Sequence, residues 1–459
     1  MRRPRGETVD PQKVQTLYVR NETVQQFVLF GNDPHTGEDR SHRKRWVQQR
    51  LGQLSQQLAM DLLAFSIGAN EIHLMVRSRP DRLETWDDRQ VAHRWLTLCP
   101  GEQKKYGPRG GTFQERVDAL SGDPEECRKI RLRFSDVSWF VRLLCQPLAS
   151  RCNRESKCRG HVFASRFRGV ELTDVASVLA CSAYVDLRAV ARGECRWVED
   201  SPFTSIAHRI EAQRNAVRDQ ADVHLNAVPP DDATSDLPSL ERTAEQILAQ
   251  TNLLQAKRED AVSDRADNRG VDQVSSEPNE GTLANEGTTA NAATPRTGLP
   301  PSDPVHDGPP VRPIRPSDFL SPLTRQPGRT VGSMVDMIDD AVGGIDTDVA
   351  PVCHRGDSPG GRCSDDGYLP LSLSDYAELL DWTVKQHRTM VAGSQPTNVP
   401  ALLGTLGLTA ETWFELMSDF DALFPQIAGH PDRIDRMRTL RSRSRYYVPQ
   451  RTRQLLPSG

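Results

Sequence analysis

The chain has 459 residues, of which 37% are hydrophobic and 32 are prolines, and its mean hydropathy is −0.58. This length is enough for two or three domains, but the apolar content is low for a chain that folds throughout, so part of it is expected to be disordered. The formal charge of −4 is divided unevenly, because residues 1–210 carry a net charge of +8 and the remainder carries −12.

Nine cysteines occur without any Cys-x-x-Cys pair, an arrangement that is not typical of a disulfide framework or a zinc ribbon. Cysteine spacing suggests one candidate metal-binding site, formed by Cys353, His354 and Cys363. No apolar run follows the basic start, and no stretch of about eighteen apolar residues occurs. The sequence therefore predicts a soluble, cytoplasmic protein without a signal peptide or a membrane-spanning helix.

The first region, to about residue 210, opens with a strand, a helix and a pair of strands. Two short runs of apolar residues between Gln15 and Phe30 predict a strand or a strand pair. Apolar residues at helical spacing between positions 47 and 58 predict a helix that Ser41 can cap. Residues 62–67 and 70–77 predict two further strands. This order is typical of an α+β fold with helices packed on one face of an antiparallel sheet.

The strand at residues 70–77 carries the most informative pattern. Its alternation places three aliphatic residues on one face and Glu71 and His73 on the other. A carboxylate and an imidazole two residues apart on a strand can both reach one divalent cation. The alternative is an ordinary half-buried strand whose outward face carries a glutamate and a histidine.

A long, mostly helical insertion is predicted at about residues 80–135. The next helix begins at Asp136 as its N-cap, and Pro147 is expected to kink or end it. A basic loop, a strand at residues 161–170 and a helix from near Asp174 follow. Within residues 131–170 there are nine basic residues and two acidic ones, which suits a polyanionic partner; a solvated helix face is the alternative.

Residues 211–345 are predicted to form a disordered linker. No aromatic residue lies between Phe203 and Phe319, and such a stretch cannot bury enough apolar area to offset its chain entropy. One helical segment at residues 240–257 interrupts this linker as a candidate partner-binding patch.

Residues 346–459 are predicted to form a helical C-terminal region with a basic tail. One helix carries an apolar face around Tyr376, and a second helix is capped by Thr409. Eight arginines between Arg433 and Arg453 surround a pair of tyrosines. This composition favours a phosphate-and-base contact surface, with a solvated tail as the alternative.

Three segments in order carry a family resemblance. Residues 69–76 read Ala-Asn-Glu-Ile-His-Leu-Met-Val, residues 160–168 read Gly-His-Val-Phe-Ala-Ser-Arg-Phe-Arg, and residues 183–193 read Ala-Tyr-Val-Asp-Leu-Arg-Ala-Val-Ala-Arg-Gly. They resemble segments of the insertion-sequence-200-like transposases, in particular the REP-associated tyrosine transposases of the HUH endonuclease superfamily. The resemblance covers about residues 12–210. It implies a role in DNA transposition and recognition of hairpin or single-stranded DNA, with a homodimer as the binding form.

The resemblance also implies a catalytic centre, from which this chain departs. In the family, two histidines of the third strand hold a divalent cation, and a helix-borne tyrosine attacks the phosphate. Glu71 stands in the place of the first histidine, and a carboxylate is still a good ligand for magnesium or manganese. Glu155 is a candidate third ligand beside Glu71 and His73; a surface carboxylate that offsets Arg151, Arg154 and Lys157 is the alternative. The positions that match the tyrosine are Leu148 and Arg151, and neither side chain can act as a nucleophile.

Two other residues are candidates for the nucleophile. Tyr184 matches a family tyrosine that packs in a helix, and Cys152 lies on the helix that would carry the attacking group.

A set of basic side chains flanks this centre in the resembling fold, and these side chains are candidates for DNA phosphate contacts. They are Arg142, Arg151, Arg154, Lys157, Arg159, Arg166 and Arg168.

The sequence therefore leads to three hypotheses. The first is a DNA-binding protein with a degraded nicking centre. The second is a metal-dependent DNA nickase that uses Glu71 and His73 with water or a displaced tyrosine. The third is a scaffold that acts through its C-terminal helical region.

Overall fold

A computed structural model describes residues 10–164, 166–226, 319–324, 361–391, 395–440 and 446–456. Most of the predicted linker, including the helical segment at residues 240–257, lies outside the described residues, and so does the Cys353-His354 pair. No helix in the described ranges is both long and apolar enough to cross a lipid bilayer.

Within the described ranges, five strands form one sheet in the order β2-β3-β1-β4-β5. They are β1 (Thr16–Glu22), β2 (Met60–Ile67), β3 (Glu71–Ser78), β4 (Arg168–Leu172) and β5 (Ile427–Ala428). The first four strands pair antiparallel, and the short β5 runs parallel to β4. The predicted α+β class is confirmed.

The helices are numbered along the described part of the chain. They are α1 (His42–Gln57), α2 (Pro80–Leu83), α3 (Asp88–Leu98), α4 (Phe113–Ser121), α5 (Pro124–Phe134), α6 (Val137–Glu155), α7 (Val175–Asp186), α8 (Arg188–Ala191), α9 (Ser205–Asn226), α10 (Leu373–Val391), α11 (Ala401–Thr405), α12 (Ala410–Leu423), α13 (Pro431–Leu440) and α14 (Gln450–Leu455). Helices α2 to α5 lie between β3 and α6.

Helices cover both faces of the sheet, whereas the sequence indicates one covered face. Ile72 and Leu74 of β3 belong to a core that includes α1 and α3 to α6. Tyr18 of β1 and Met75 of β3 point to the opposite face and belong to a second core with α7, α10 and α12. Both faces of β3 are therefore buried, including the face that carries Glu71 and His73.

Residues of the C-terminal region belong to the same compact unit as residues 10–217. The amide of Thr173 donates to the carbonyl of Ala428 at 3.0 Å, which extends the sheet beyond β4. The amide of Ser321 donates to the carbonyl of Leu62 at 3.0 Å, so residues 319–324 lie along β2. The region predicted as a separate helical piece thus forms one layer of the fold.

Two element boundaries differ from the sequence prediction. The strand predicted at residues 161–170 begins only at Arg168, and ahead of it Phe163 makes a single bridge to Thr23. Ser41 does stand at the N-cap of α1, but its side chain makes no capping hydrogen bond.

Pro147 lies inside α6, which continues to Glu155, so the helix does not end at this residue. Proline lacks an N–H, which leaves the carbonyl of Leu143 without its helical donor. Arg50 of α1 donates from Nε to that carbonyl at 3.0 Å. A side chain of the neighbouring helix therefore replaces the missing backbone bond and allows α6 to continue.

We expect Arg50→Met to lower the free energy of unfolding by about 1–3 kcal/mol, because the Leu143 carbonyl loses its donor. In a Pro147→Ala background the restored N–H can serve this carbonyl, so the same substitution should cost less. Urea unfolding of the four proteins measures both differences. Arg45→Met, at an exposed position of the same helix, is the control. Equal losses in the two backgrounds would contradict the assigned role of Arg50.

Candidate functional site

Three neighbouring strands bring polar side chains into one row on the second face of the sheet. His73 of β3 lies opposite Arg20 of β1, and Arg20 lies opposite Arg168 of β4. Directly opposed residues point to the same face of a sheet, and so does Glu71, two residues before His73. The candidate centre therefore lies on the face that α7 and α12 cover.

The carboxylate of Glu71 is buried and paired with three guanidinium groups. Arg20 Nη2 lies 3.1 Å from Oε2, while Arg188 Nη2 and Arg192 Nη2 lie 2.9 Å and 2.6 Å from Oε1. Burial alone would raise the pKa of Glu71, but His73 and Arg188 more than offset it, and the pKa lies well below its usual range. Arginines thus take up the oxygen lone pairs that a metal ion would need.

The imidazole of His73 is fully buried between Tyr18 and Glu71. Its Nδ1 lies 2.7 Å from the hydroxyl of Tyr18, and its Nε2 lies 3.0 Å from Glu71 Oε1 without hydrogen-bond geometry. Burial lowers the pKa of His73; Glu71 counteracts this effect, whereas Arg188 and Arg20 add to it. The ring is therefore neutral at pH 7.

Helices α7 and α12 close the centre. The ring of Tyr184 on α7 lies 6.1 Å from the ring of His73, and the Tyr184 hydroxyl donates to Asp421 Oδ2 at 3.2 Å. Phe420, the neighbour of Asp421 on α12, stacks on Tyr184 at 5.5 Å. A segment of the C-terminal region therefore occupies the space in front of His73.

The structure places Tyr184, and neither Leu148 nor Arg151, beside His73. Leu148 is buried in the core on the opposite face of the sheet, and Arg151 lies over the ring of Trp46 at 3.9 Å. Burial raises the pKa of Tyr184 to about 12, so its phenol stays protonated at neutral pH.

Cys152 also lies on α6, away from the centre. Burial raises the pKa of its thiol to about 11, although the nearby Arg43 opposes the shift. A protonated thiol is a poor nucleophile, so the arrangement does not activate Cys152.

Glu155 does not join Glu71 and His73. Its Oε1 lies 2.6 Å from His42 Nε2, and its Oε2 accepts from Arg43 Nε at 2.6 Å. Among the described residues, no group of three or more His, Cys, Asp and Glu side chains is arranged to hold a metal ion. With guanidinium groups on Glu71 and no third ligand beside it, the residues of the centre do not fit a divalent cation.

Six of the seven predicted DNA-contacting side chains are exposed, on α6 and on the segment after it. We call this set the α6 basic surface, and its members are Arg142, Arg151, Arg154, Lys157, Arg159 and Arg166. The seventh, Arg168, is directed at α12 instead, where Nη2 donates to the carbonyl of Phe424 at 3.1 Å.

Aromatic rings and a shaped loop lie within this surface. Trp139 lies under the guanidinium of Arg142 at 4.7 Å, as Trp46 lies under that of Arg151. The loop after α6 is fixed by Asn153, whose side-chain amide donates to the carbonyl of Gly160 at 3.0 Å. The cations are therefore presented on a folded scaffold.

Arg188, Arg192 and Asp421 complete the centre, and the sequence alone does not assign them to it. Arg188 and Arg192 lie four and eight positions after Tyr184. Residues four positions apart share one face of a helix, so this spacing predicts that both arginines lie on the same side as Tyr184. Asp421 carries no such signal, because it lies 401 positions from Arg20.

No protein-family model matches the chain, and no curated protein matches it. Among solved structures, the chain is similar to a REP-associated tyrosine transposase bound to a REP hairpin, with 12% sequence identity and a TM-score of 0.27. The match covers 52% of this chain and 96% of that chain.

We expect Glu71→Gln to lower the free energy of unfolding at pH 7 by about 3 kcal/mol, because partly buried arginines lose their anion. The pKa of Glu71 is lower in the folded than in the unfolded chain. Its contribution is therefore complete above about pH 5 and is lost as the pH falls toward the folded pKa.

Urea unfolding of wild type and variant at a series of pH values measures this dependence. The difference between the two proteins should shrink on acidification. Glu22→Gln is the control, since Glu22 pairs with the same Arg20 but its side chain is 39% exposed. A Glu71→Gln protein as stable as wild type at pH 7 would show that the arginines do not depend on this carboxylate.

Proposed function

We propose that the protein binds DNA through the α6 basic surface and that its Glu71–His73 centre does not support metal-dependent nicking. The observation that carries the proposal is the excess of exposed cations on this surface. Between Arg142 and Arg166 the sequence contains one acidic residue, Glu155, and its carboxylate is already bound to His42 and Arg43. This segment therefore carries an excess of cations over anions.

Phosphate groups are the partners that such a surface fits. Each phosphate that a cation neutralises releases condensed counterions, so affinity depends steeply on salt. Arginine also offers a flat guanidinium on which an unpaired base can stack, and at Arg142 and Arg151 a tryptophan supports that plane from below. Hairpin or single-stranded DNA is the proposed ligand, with a homodimer as the binding form, and light scattering of the purified protein measures the latter.

We expect Arg151→Ala with Arg154→Ala to weaken binding of a labelled hairpin DNA and to make the slope of log K against log salt shallower by about 2. Fluorescence anisotropy at several salt concentrations, starting near about 50 mM, measures both quantities.

The matched control for this pair is Arg89→Ala with Arg128→Ala. It removes the same charge from exposed arginines on α3 and α5, where the partners are Asp118 and Glu125. Equal weakening by both double variants would show that only net charge matters. Absence of hairpin binding by the wild-type protein at low salt would overturn the proposal.

A second candidate function, DNA nicking, is favoured by one observation, the position of Tyr184 beside His73. In such a reaction the Tyr184 oxygen would form a bond to phosphorus while a bond from phosphorus to a deoxyribose oxygen breaks. The phenolic proton would pass to Asp421, which accepts its hydrogen bond, and the leaving oxygen would take a proton from water. The raised pKa of Tyr184 and the closure by α12 oppose this reaction in the arrangement described.

We expect wild-type protein to leave labelled single-stranded DNA intact in the presence of manganese or magnesium. Gel electrophoresis detects cleavage, and a protein–DNA adduct on a denaturing gel detects a covalent tyrosine. Cleavage that disappears in Glu71→Ala and His73→Ala would favour the metal-dependent nickase. An adduct that disappears in Tyr184→Phe would identify that tyrosine as the nucleophile.

A scaffold that acts through its C-terminal region has no specific support. Helix α12 and strand β5 are built into the core and the sheet, so this region is not a separate body in the described residues.

A further inference from the structure

Asp421 of α12 lies in a site whose other members are cations or hydroxyl donors. Its Oδ2 accepts from Arg20 Nη1 at 2.8 Å and lies 3.2 Å and 3.4 Å from the hydroxyls of Tyr184 and Tyr18. Its Oδ1 lies 3.7 Å from Arg168 Nε. One carboxylate therefore meets two guanidinium groups and two phenols, and its side chain is only 14% exposed.

The donors belong to the sheet and α7, whereas the acceptor is supplied by a different segment of the chain. Four arginines, namely Arg20, Arg168, Arg188 and Arg192, have side chains within reach of the carboxylates of this centre. Without Asp421 they would meet one buried carboxylate, that of Glu71. Partly buried guanidinium groups require an anion, and the planar fork of arginine suits phosphate oxygens as well as carboxylate oxygens.

We propose that Asp421 is an internal substitute for a phosphate group, and that the site formed by Arg20, Arg168, Tyr18 and Tyr184 binds phosphate when Asp421 is withdrawn. The carboxylate and the phosphate compete for the same donors, so the site is blocked in the arrangement described. This site is separate from the α6 basic surface, because the two lie against opposite faces of the sheet.

The backbone of α12 contains a break close to Asp421. Asp419 departs from helical geometry with φ −132° and ψ 28°. The helix before the break is held by Trp413, whose Nε1 donates to Thr383 at 3.0 Å. The turn that carries Asp421 therefore follows a break in the helix, and its Phe420 and Leu423 are buried in the second core.

The experiment compares wild type, Asp421→Ala and Asp421→Asn in titrations with inorganic phosphate, with chloride added to equal ionic strength. The readout is the Tm. Both variants should show a saturable rise of about 2 °C or more with phosphate, and wild type should show none. Asp419→Asn is the matched control, because Asp419 lies in the same helix but pairs with Arg451 on the surface, and it should behave as wild type does.

A second arm replaces inorganic phosphate with a short oligothymidine in proteins that also carry Arg151→Ala and Arg154→Ala. Binding of the oligonucleotide alone would identify a nucleic-acid phosphate as the ligand, and binding of both would identify a general phosphate site. A variant that folds only when phosphate is added also supports the proposal. Variants that respond as wild type does, or that stay unfolded at every phosphate concentration, overturn it.

Discussion

The ion pairs of Glu71 are the constraint on which the second face of the sheet depends. One buried carboxylate on β3 holds an arginine from β1 and the two arginines at the start and the C-cap of α8, so it ties two strands to the helical layer that covers them. A buried charge is stable only with a partner of opposite charge. Here Glu71 is the partner of the arginines, and the arginines are the partners of Glu71. Burial lowers the pKa of His73 against the opposing effect of Glu71, and the charges of Arg188 and Arg20 lower it further, so the ring is neutral at pH 7.

The local elements could be predicted because their signals are local. The alternation of residues 70–77 predicts β3, and the capping pattern at Asp174 and Thr409 predicts the starts of α7 and α12, where both side chains accept from backbone amides. The continuation of α6 through Pro147 could not be predicted from such local signals. The rule that proline interrupts a helix is local, whereas the donor that compensates for it comes from Arg50 on another helix.

The candidate centre could be predicted only in part, for the same reason. The sequence identifies Glu71 and His73 and their common face, but not what covers that face. The position of Glu155, one helical turn beyond Arg151, predicts a third ligand, whereas the structure places it on α6 at the opposite face. The resembling fold predicts Arg168 together with the other cations at the flank of the centre. Its place in β4, opposite Arg20, turns it inward while its neighbours stay at the surface.

The participation of α12 and β5 in the core and the sheet affects how the chain folds during synthesis. Contacts such as that between Arg20 and Asp421 join residues 401 positions apart, and contacts of such long range form slowly. During synthesis, the strands and α7 leave the ribosome well before the residues that cover them. Until those residues arrive, the nascent protein exposes Tyr18, Met75 and a cluster of arginines that lacks the carboxylate of Asp421. This intermediate is a natural client for chaperones that shield apolar surface.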